Sequence, residues 1–448
     1  MSDLITTSLT FSRESLTEYF IKPLFLGDDI KSIVTVRTNI KSSEKLDLID
    51  ALENITKAYA QGTSFTPSTG ITITQKTITT VAMKAEVQQN GRAFVNYCKQ
   101  AMLKSGVNIN DITDTLFEQI VLEIFFAALK ADFNRQIFFG DTKKETTTSD
   151  IATGTADVNY NVYDGFWTWI KEAIAATTIP ASQYVNLNST TYLTTAGVAQ
   201  AFTTTLTGTS GTCNVTINGT AYLATFDTSL TETAANFVTA HAATIAARWH
   251  GAVVTSSGAV ITVTSSIPGV QISGAAGTAI TGNLAAGAPS ATVANVTQSS
   301  MKADGALAAF RAMYNAMPAV MKARKSECVY MVTAAVYDNY MSTLESASAG
   351  SEAAYYAVID GVKKVAYRGI PIVQMLQWDS IIDTYFGNEY PNRCLLAIPK
   401  NLVVGTDAES DMMTGEFFYD RVTQNNVFRI EYMVGTQYVH PNYIVAAY

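Results

Sequence analysis

Between residues 181 and 300 the chain carries three charged side chains, Asp227, Glu232 and Arg248, out of 30 basic and 38 acidic residues in all. Most soluble domains keep charges interspersed over their surface. So long a stretch without them, rich in Thr, Ser, Ala and Gly, is a different kind of polypeptide from its flanks. It reads as a module inserted into a framework whose two halves, 1–180 and 301–448, complete one another.

The module has its own local logic. Cys213–Ile217 and Thr220–Phe226 flank Asn218-Gly219, the strongest short hairpin signal. Ser229-Leu230-Thr231-Glu232 is a capping box. It opens a helix with Phe237, His241, Ile245 and Trp249 at four-residue spacing, and Gly251 ends it. Ala252–Thr255 and Ala259–Thr264, joined through Ser256-Ser257-Gly258, form a second hairpin. The expected order is ββαββ, followed by a Gly/Ala-rich return to Gln298.

The framework reads as α+β. Residues 1–40 are a sparse lead-in anchored by Phe20, Ile21, Leu24 and Phe25. A turn-rich run, 61–70, leads into the alternating, β-branched segment Ile71–Val81. Together they suggest a long two-stranded excursion that is marginal in water without a surface to lie on. Asp111 to Phe139 is the strongest helix, with Leu116, Ile120, Ile124, Ala127, Ala131 and Phe138 on one stripe and Gly140 after it. At about 1.5 Å per residue it spans roughly 43 Å. A helix follows at Tyr163–Ile170, and another at Met301–Met317 with Pro318 as its stop. Glu327–Val332 and Asn392–Ile398 read as buried strands, and Phe428–Val434 as an alternating one.

Charge and motifs exclude several functions. A net charge of −8 argues against grip on nucleic acid, which comes from Lys and Arg on phosphates. The basic runs Lys143-Lys144, Met321–Lys325 and Lys363-Lys364 read as solvated surface. No apolar run approaches the roughly 18 residues of a membrane span, and Met1–Thr6 lacks the pattern of a signal peptide. Phosphate-loop, HExxH and GxSxG motifs are absent. His241, His250 and His440 read as structural, and Cys98, Cys213, Cys328 and Cys394 as reduced thiols. No cofactor is implied. Asp407, Glu409 and Asp411 alternate like a calcium loop, and Glu416 extends the acidic run. Met412 nevertheless stands where such a loop needs Gly, and Phe418 where it needs a bidentate Glu. A solvated loop therefore fits better than a metal site.

Several phrases in this order resemble one family. Phe138-Phe139-Gly140-Asp141 closes the long helix and Tyr163-Asp164-Gly165 opens the next. Tyr367-Arg368-Gly369-Ile370-Pro371-Ile372-Val373, Asn392–Thr406, Glu416–Arg421 and Gly435–Pro441 follow. The framework is similar to the major capsid proteins of tailed bacteriophages, the Hong Kong 97-type fold, closest to crAss-like and related phages of gut bacteria. The resemblance implies an N-terminal arm (1–40), the start of a peripheral domain (41–56) and an extended β-loop (57–90). The rest of the peripheral domain (91–159) carries a spine helix at 111–139. An axial domain (160–180 and 301–405) holds the inserted β-rich domain (181–300), and 406–448 return to the peripheral domain.

It also implies a non-enzymatic subunit that forms hexamers and pentamers of an icosahedral head around double-stranded DNA. Such a head is assembled in the host bacterial cytoplasm, with portal, scaffold and decoration proteins as partners and no membrane. On this reading Phe65, Pro67, Ile71, Ile73 and Ile78 of the extended loop contact a neighbouring subunit. A tail sheath, tail tube or decoration protein, or an encapsulin-type shell, is the alternative.

Overall fold

The computed structural model describes residues 33–38, 40, 42–49, 73–90, 116–142, 160–249, 251–269, 271–346, 356–359, 362–386, 390–406 and 416–448. The expectations for residues 1–32, for Asp111, for Cys98 and His250, and for Phe65, Pro67, Ile71, Asp407, Glu409 and Asp411 fall outside them. The chain divides into two compact units: residues 1–137 with 399–441, and 138–398 with 442–448.

The first unit is a sheet assembled from distant parts of the sequence. Its centre is the 14-residue strand Asn425–Tyr438. One edge of that strand carries Glu416–Asp420 and Leu402–Thr406 in succession, and the other carries Val81–Asn90, all antiparallel. Thr35–Arg37 adds a parallel edge strand beside Leu402–Thr406. Asn426, Phe428, Tyr432 and Val434 are buried while Arg429 and Glu431 are exposed, the alternation expected of a sheet with one solvated face. The long helix is described from Leu116 to Phe139. Within the first unit it packs Phe125 against Phe428, with ring centroids 6.0 Å apart.

The extended excursion differs from its expected bounds. Ile73–Thr79 pairs with Ser43–Ile49 as a two-stranded ribbon, so the ribbon starts well before residue 57. At Thr80 the chain leaves it. The Thr80 amide bonds to Ser42 O at 2.9 Å, its hydroxyl to Ile40 O at 3.2 Å, and Val81–Asn90 then joins the sheet. The register explains this division. The β-branched run up to Thr79 has the ribbon as its partner, whereas the next ten residues have ten partners in 425–434.

The core of the second unit is a seven-stranded mixed sheet. Its order is Tyr356–Ile359, Val362–Tyr367, Ile370–Gln374, Val329–Val332, Cys394–Ala397, Ile444–Ala447 and Tyr184–Val185. The central strands are apolar throughout and buried on both faces, as continuous hydrophobic runs should be. Helices Gly305–Ala316 and Ala334–Ser346 contribute Phe310, Met313, Val336 and Tyr340 to the core beside Tyr330 and Leu396. The chain's last residues depart from the expected return to the peripheral sheet. Ile444–Ala447 pairs with Cys394–Ala397 in this second sheet instead, because its four consecutive small or branched apolar residues suit a strand buried on both sides.

The inserted module has a separate apolar core, which includes Phe202, Leu206, Phe237, Ile245, Trp249 and Ile261. The first hairpin, Gly211–Ile217 and Thr220–Thr225, turns on Asn218 and Gly219 with φ of 44° and 81°. Two positive φ values are what a type I′ turn requires. The Ser229 hydroxyl accepts from Glu232 N at 3.2 Å and opens helix Leu230–Arg248. The second hairpin, Val253–Ser257 and Val260–Thr264, turns on Gly258-Ala259, two residues later than its serines suggested.

The module holds more strands than ββαββ. Ala201–Thr207 precedes the first hairpin and sits between Val260–Thr264 and Ser290–Val293. The Gly/Ala-rich return contributes the short strands Gly274–Ala275, Ala279–Gly282, Ala285–Ala286 and Ser290–Val293. The module is also narrower than 181–300. Tyr184–Val185 belongs to the seven-stranded sheet, and Leu187 and Leu193 to its core. A neck joins module and sheet, made by antiparallel bridges from Leu193 to Met301 and from Val198 to Val296.

Candidate assembly surfaces

The root of the ribbon is built into the first unit. Ile78 is fully buried (0% exposed) and packs with Ile40, Leu46 and Val403. It presses on Gly405, whose register partner is Gly435. A Cβ on Gly405 would lie 2.9 Å from Ile40 Cδ1 and 3.0 Å from Ile78 Cδ1, and one on Gly435 would overlap the Thr79 carbonyl. Glycine is needed at 435, where the ribbon meets the sheet at backbone contact, while at 405 it leaves room for the Ile40 and Ile78 side-chain tips. Ile78 is therefore a core residue of its own unit, which removes it from the expected inter-subunit contacts. Ile73 sits at the far end of the ribbon, opposite Ile49.

Beside this root, the Lys76 ammonium lies 3.0 Å from the centroid of the Tyr438 ring. Burial pulls its pKa down to about 8, because an ammonium out of water loses solvation that the ring restores only in part. The opposite face of the ribbon, from Ser43, Lys45 and Asp47 to Gln75, Thr77 and Thr79, is exposed.

The two phrases that carried the family resemblance meet in the second unit. Gly140 O, just past the long helix, accepts from Gly165 N at 2.8 Å and from the Thr168 hydroxyl at 2.6 Å. Asp141 N donates to Tyr160 O at 2.6 Å. The Asp164 carboxylate accepts from both the amide and the hydroxyl of Thr142 at 2.8 Å. These bonds satisfy carbonyls and amides that a helix end leaves open and tie the long helix to helix Phe166–Ala175.

Around this clasp lies an aromatic cluster. Trp378 stands edge-on to Phe138, Phe139 and Trp167 at centroid distances of 5.0, 5.9 and 5.5 Å. Arg393, 1% exposed, places its guanidinium 5.3 Å from the Phe139 ring and 5.5 Å from that of Trp167. Its Nε donates to Tyr390 O at 3.0 Å. Neither Trp378 nor Arg393 stood out in sequence, since helix Leu376–Phe386 has no strong cap signal and Arg393 precedes an apolar strand.

His241, His440 and the described cysteines have defined neighbours. A ring nitrogen of His241 is 2.9 Å from Leu223 O, and the ring packs on Tyr222 and Phe237. Backbone N and O of His440 bond the Asn401 side chain. Cys213, Cys328 and Cys394 are buried thiols. Burial raises all three, Cys328 to about 11 with Glu327 adding to the effect. A thiol held protonated is a poor nucleophile. Among the described residues no three His, Cys, Asp or Glu side chains converge as a metal site, and no helix is long and apolar enough to cross a membrane.

No family model matches the chain, and no curated protein matches it. Solved structures similar to it include the satellite phage P4 procapsid including size determination (Sid) protein. That match has 8% identity and a TM-score of 0.42, covering 99% of this chain and 92% of that one. Microbacterium phage Oxtober96 matches at 8% identity and 0.41, covering 99% and 95%. The mature capsid of bacteriophage PhiM1 matches at 8% identity and 0.37, covering 100% and 91%.

Proposed function

We propose that the chain is a structural shell subunit, a major capsid protein of the Hong Kong 97 type. In this reading it assembles as hexamers and pentamers of an icosahedral head around double-stranded DNA. The ribbon is the observation that supports this most. Its base is locked into its own unit by Ile78 and the Gly405–Gly435 pair, and Ile49 with Ile73 is the last of its described pairs. Two strands alone are marginal in water, so the segment beyond them has a use if it lies on another copy.

The ribbon and residues 50–72 are then the extended loop, with Phe65, Pro67, Ile71 and Ile73 as its contacts on a neighbour. Residues 1–40 are the arm, and Leu116–Phe139 the spine. The first unit's sheet is the peripheral domain, the seven-stranded sheet the axial domain, and the module a graft on the latter. A non-catalytic role accords with the buried, protonated thiols and with the His241 ring held against Leu223 O. Portal, scaffold and decoration proteins complete the head in the host cytoplasm, and DNA is enclosed without sequence readout.

Excising 50–72 and joining Ile49 to Ile73 by an Asn-Gly turn tests the reading. Ile78 and the root are kept, so the subunit should melt like the full chain. Closed particles seen by electron microscopy should fall at least tenfold. Undiminished particles would refute the role given to the loop.

A further inference from the structure

The basic run 321–325 and Arg368, separate in sequence, meet at one corner of the second unit. The turn between strands Val362–Tyr367 and Ile370–Gln374 is Arg368-Gly369, with Tyr367 and Ile370 as register partners. Both turn residues have positive φ, 50° and 80°. That is type I′ geometry, which favours Asn, Asp or Gly, and Arg is a strained choice for its first position.

What surrounds Arg368 explains how it is held. Its exposed guanidinium lies 4.6 Å from the Tyr314 ring centroid and 5.6 Å from that of Tyr367. The Lys322 ammonium lies 5.9 Å from the same Tyr314 ring and donates to Asn315 O at 3.3 Å. The Lys325 ammonium is 3.6 Å from the point a Cβ on Gly369 would occupy. Arg311, exposed, stands one helical turn before Tyr314. Arg324 in the same run is neutralised by Glu327 through two bonds of 2.9 and 2.8 Å. Among the described residues Arg368, Lys322 and Lys325 form no ion pair with a carboxylate. Gathering like charges around a strained turn works against folding.

We infer that this corner docks a carboxylate-rich surface of a second copy of the chain. The inference deepens the shell reading and rests on it. The chain itself supplies the complement: it is acidic overall, with 38 acidic against 30 basic residues. A basic patch on one copy facing an acidic one on the next is a heterologous contact, the kind that closes rings. Complementary charge of this sort sets register and speeds encounter.

The test uses the full chain carrying K322E, K325E and R368E together, with association followed by light scattering and native mass spectrometry at low and high salt. The variant should melt like wild type, associate at least tenfold more weakly at low salt, and lose the salt sensitivity of the wild type. The neutral triple variant K322Q/K325Q/R368Q guards against misfolding of the reversed one and should show a smaller loss. Wild-type association in both variants overturns the inference. Unchanged association with loss of retained DNA also overturns it and assigns the corner to nucleic acid. If wild type forms salt-sensitive oligomers that never close into polyhedra, the docking stands and the shell reading falls. A strictly monomeric wild type overturns both.

Discussion

The inserted module builds its hairpins from neighbours in sequence, whereas the sheet of the first unit joins segments hundreds of residues apart. In the module, Gly211–Ile217 meets Thr220–Thr225 across two residues, and Val253–Ser257 meets Val260–Thr264 the same way. In the first unit, Val81–Asn90 pairs with 425–434, and Thr35–Arg37 with Val403–Gly405. A module whose chain enters and leaves at one neck, Val198 beside Val296, can be added to a host without rewiring it. A sheet closed by long-range pairing needs both halves of the chain at once and pays loop-closure entropy before its contacts form.

If the two regions are as separable as this contrast suggests, damage to one should stay there. The largest expected effect is at the aromatic cluster. Trp378→Ala removes the ring shared by Phe138, Phe139 and Trp167 and should destabilise the second unit's framework by about 3–5 kcal/mol. Hydrogen exchange should report lost protection in Phe166–Ala175 and Cys394–Ala397, with helix Leu230–Arg248 of the module unchanged. Equal loss in the module would mean that the two cores unfold as one.

A smaller effect sharpens the contrast from the first unit's side. Lys76 is held below its ordinary value by burial, so the folded protein binds that proton more weakly than the unfolded chain does. The folded state is therefore penalised most below about pH 8, and the penalty fades as pH rises from there towards the ordinary lysine value. Lys76→Met should raise stability by about 1 kcal/mol at pH 7, with a gain that shrinks through that window. Denaturant titrations at several pH values check it. A loss of stability at pH 7 would show that the Tyr438 ring outweighs burial.

How much could be read from sequence follows the same divide. The Asn218-Gly219 turn, the Ser229 cap and the buried Phe237, Ile245 and Trp249 were legible because each signal lies within a few residues of its effect. The long helix was legible by its length, and the clasp at Gly140 and Gly165 through a resemblance of short phrases. The partners of Val81–Asn90 and of Ile444–Ala447 were not, since alternation marks a strand without saying which strand it meets. Ala201–Thr207 was missed because its inward residues include Thr204, which reads as surface. Ile78 was assigned to a neighbour because nothing local reveals that a glycine pair, Gly405 and Gly435, lies beneath it. The charged corner at Arg368 was invisible for the same reason, as the 321–325 run and Arg368 acquire meaning only once the fold brings them together.

On the proposed shell role, the framework alone carries shell formation and the module is a graft. Val198 and Val296 face each other across the neck, with hydrogen bonds of 2.9 and 3.1 Å in both directions, so a two-residue turn can replace everything between them. Electron microscopy of the chain with 199–295 replaced by Asn-Gly tests the claim most directly. Closed polyhedral particles like those of the full chain are expected. Rods, tubes or unassembled aggregate from the shortened chain, where the full chain closes into shells, would contradict it.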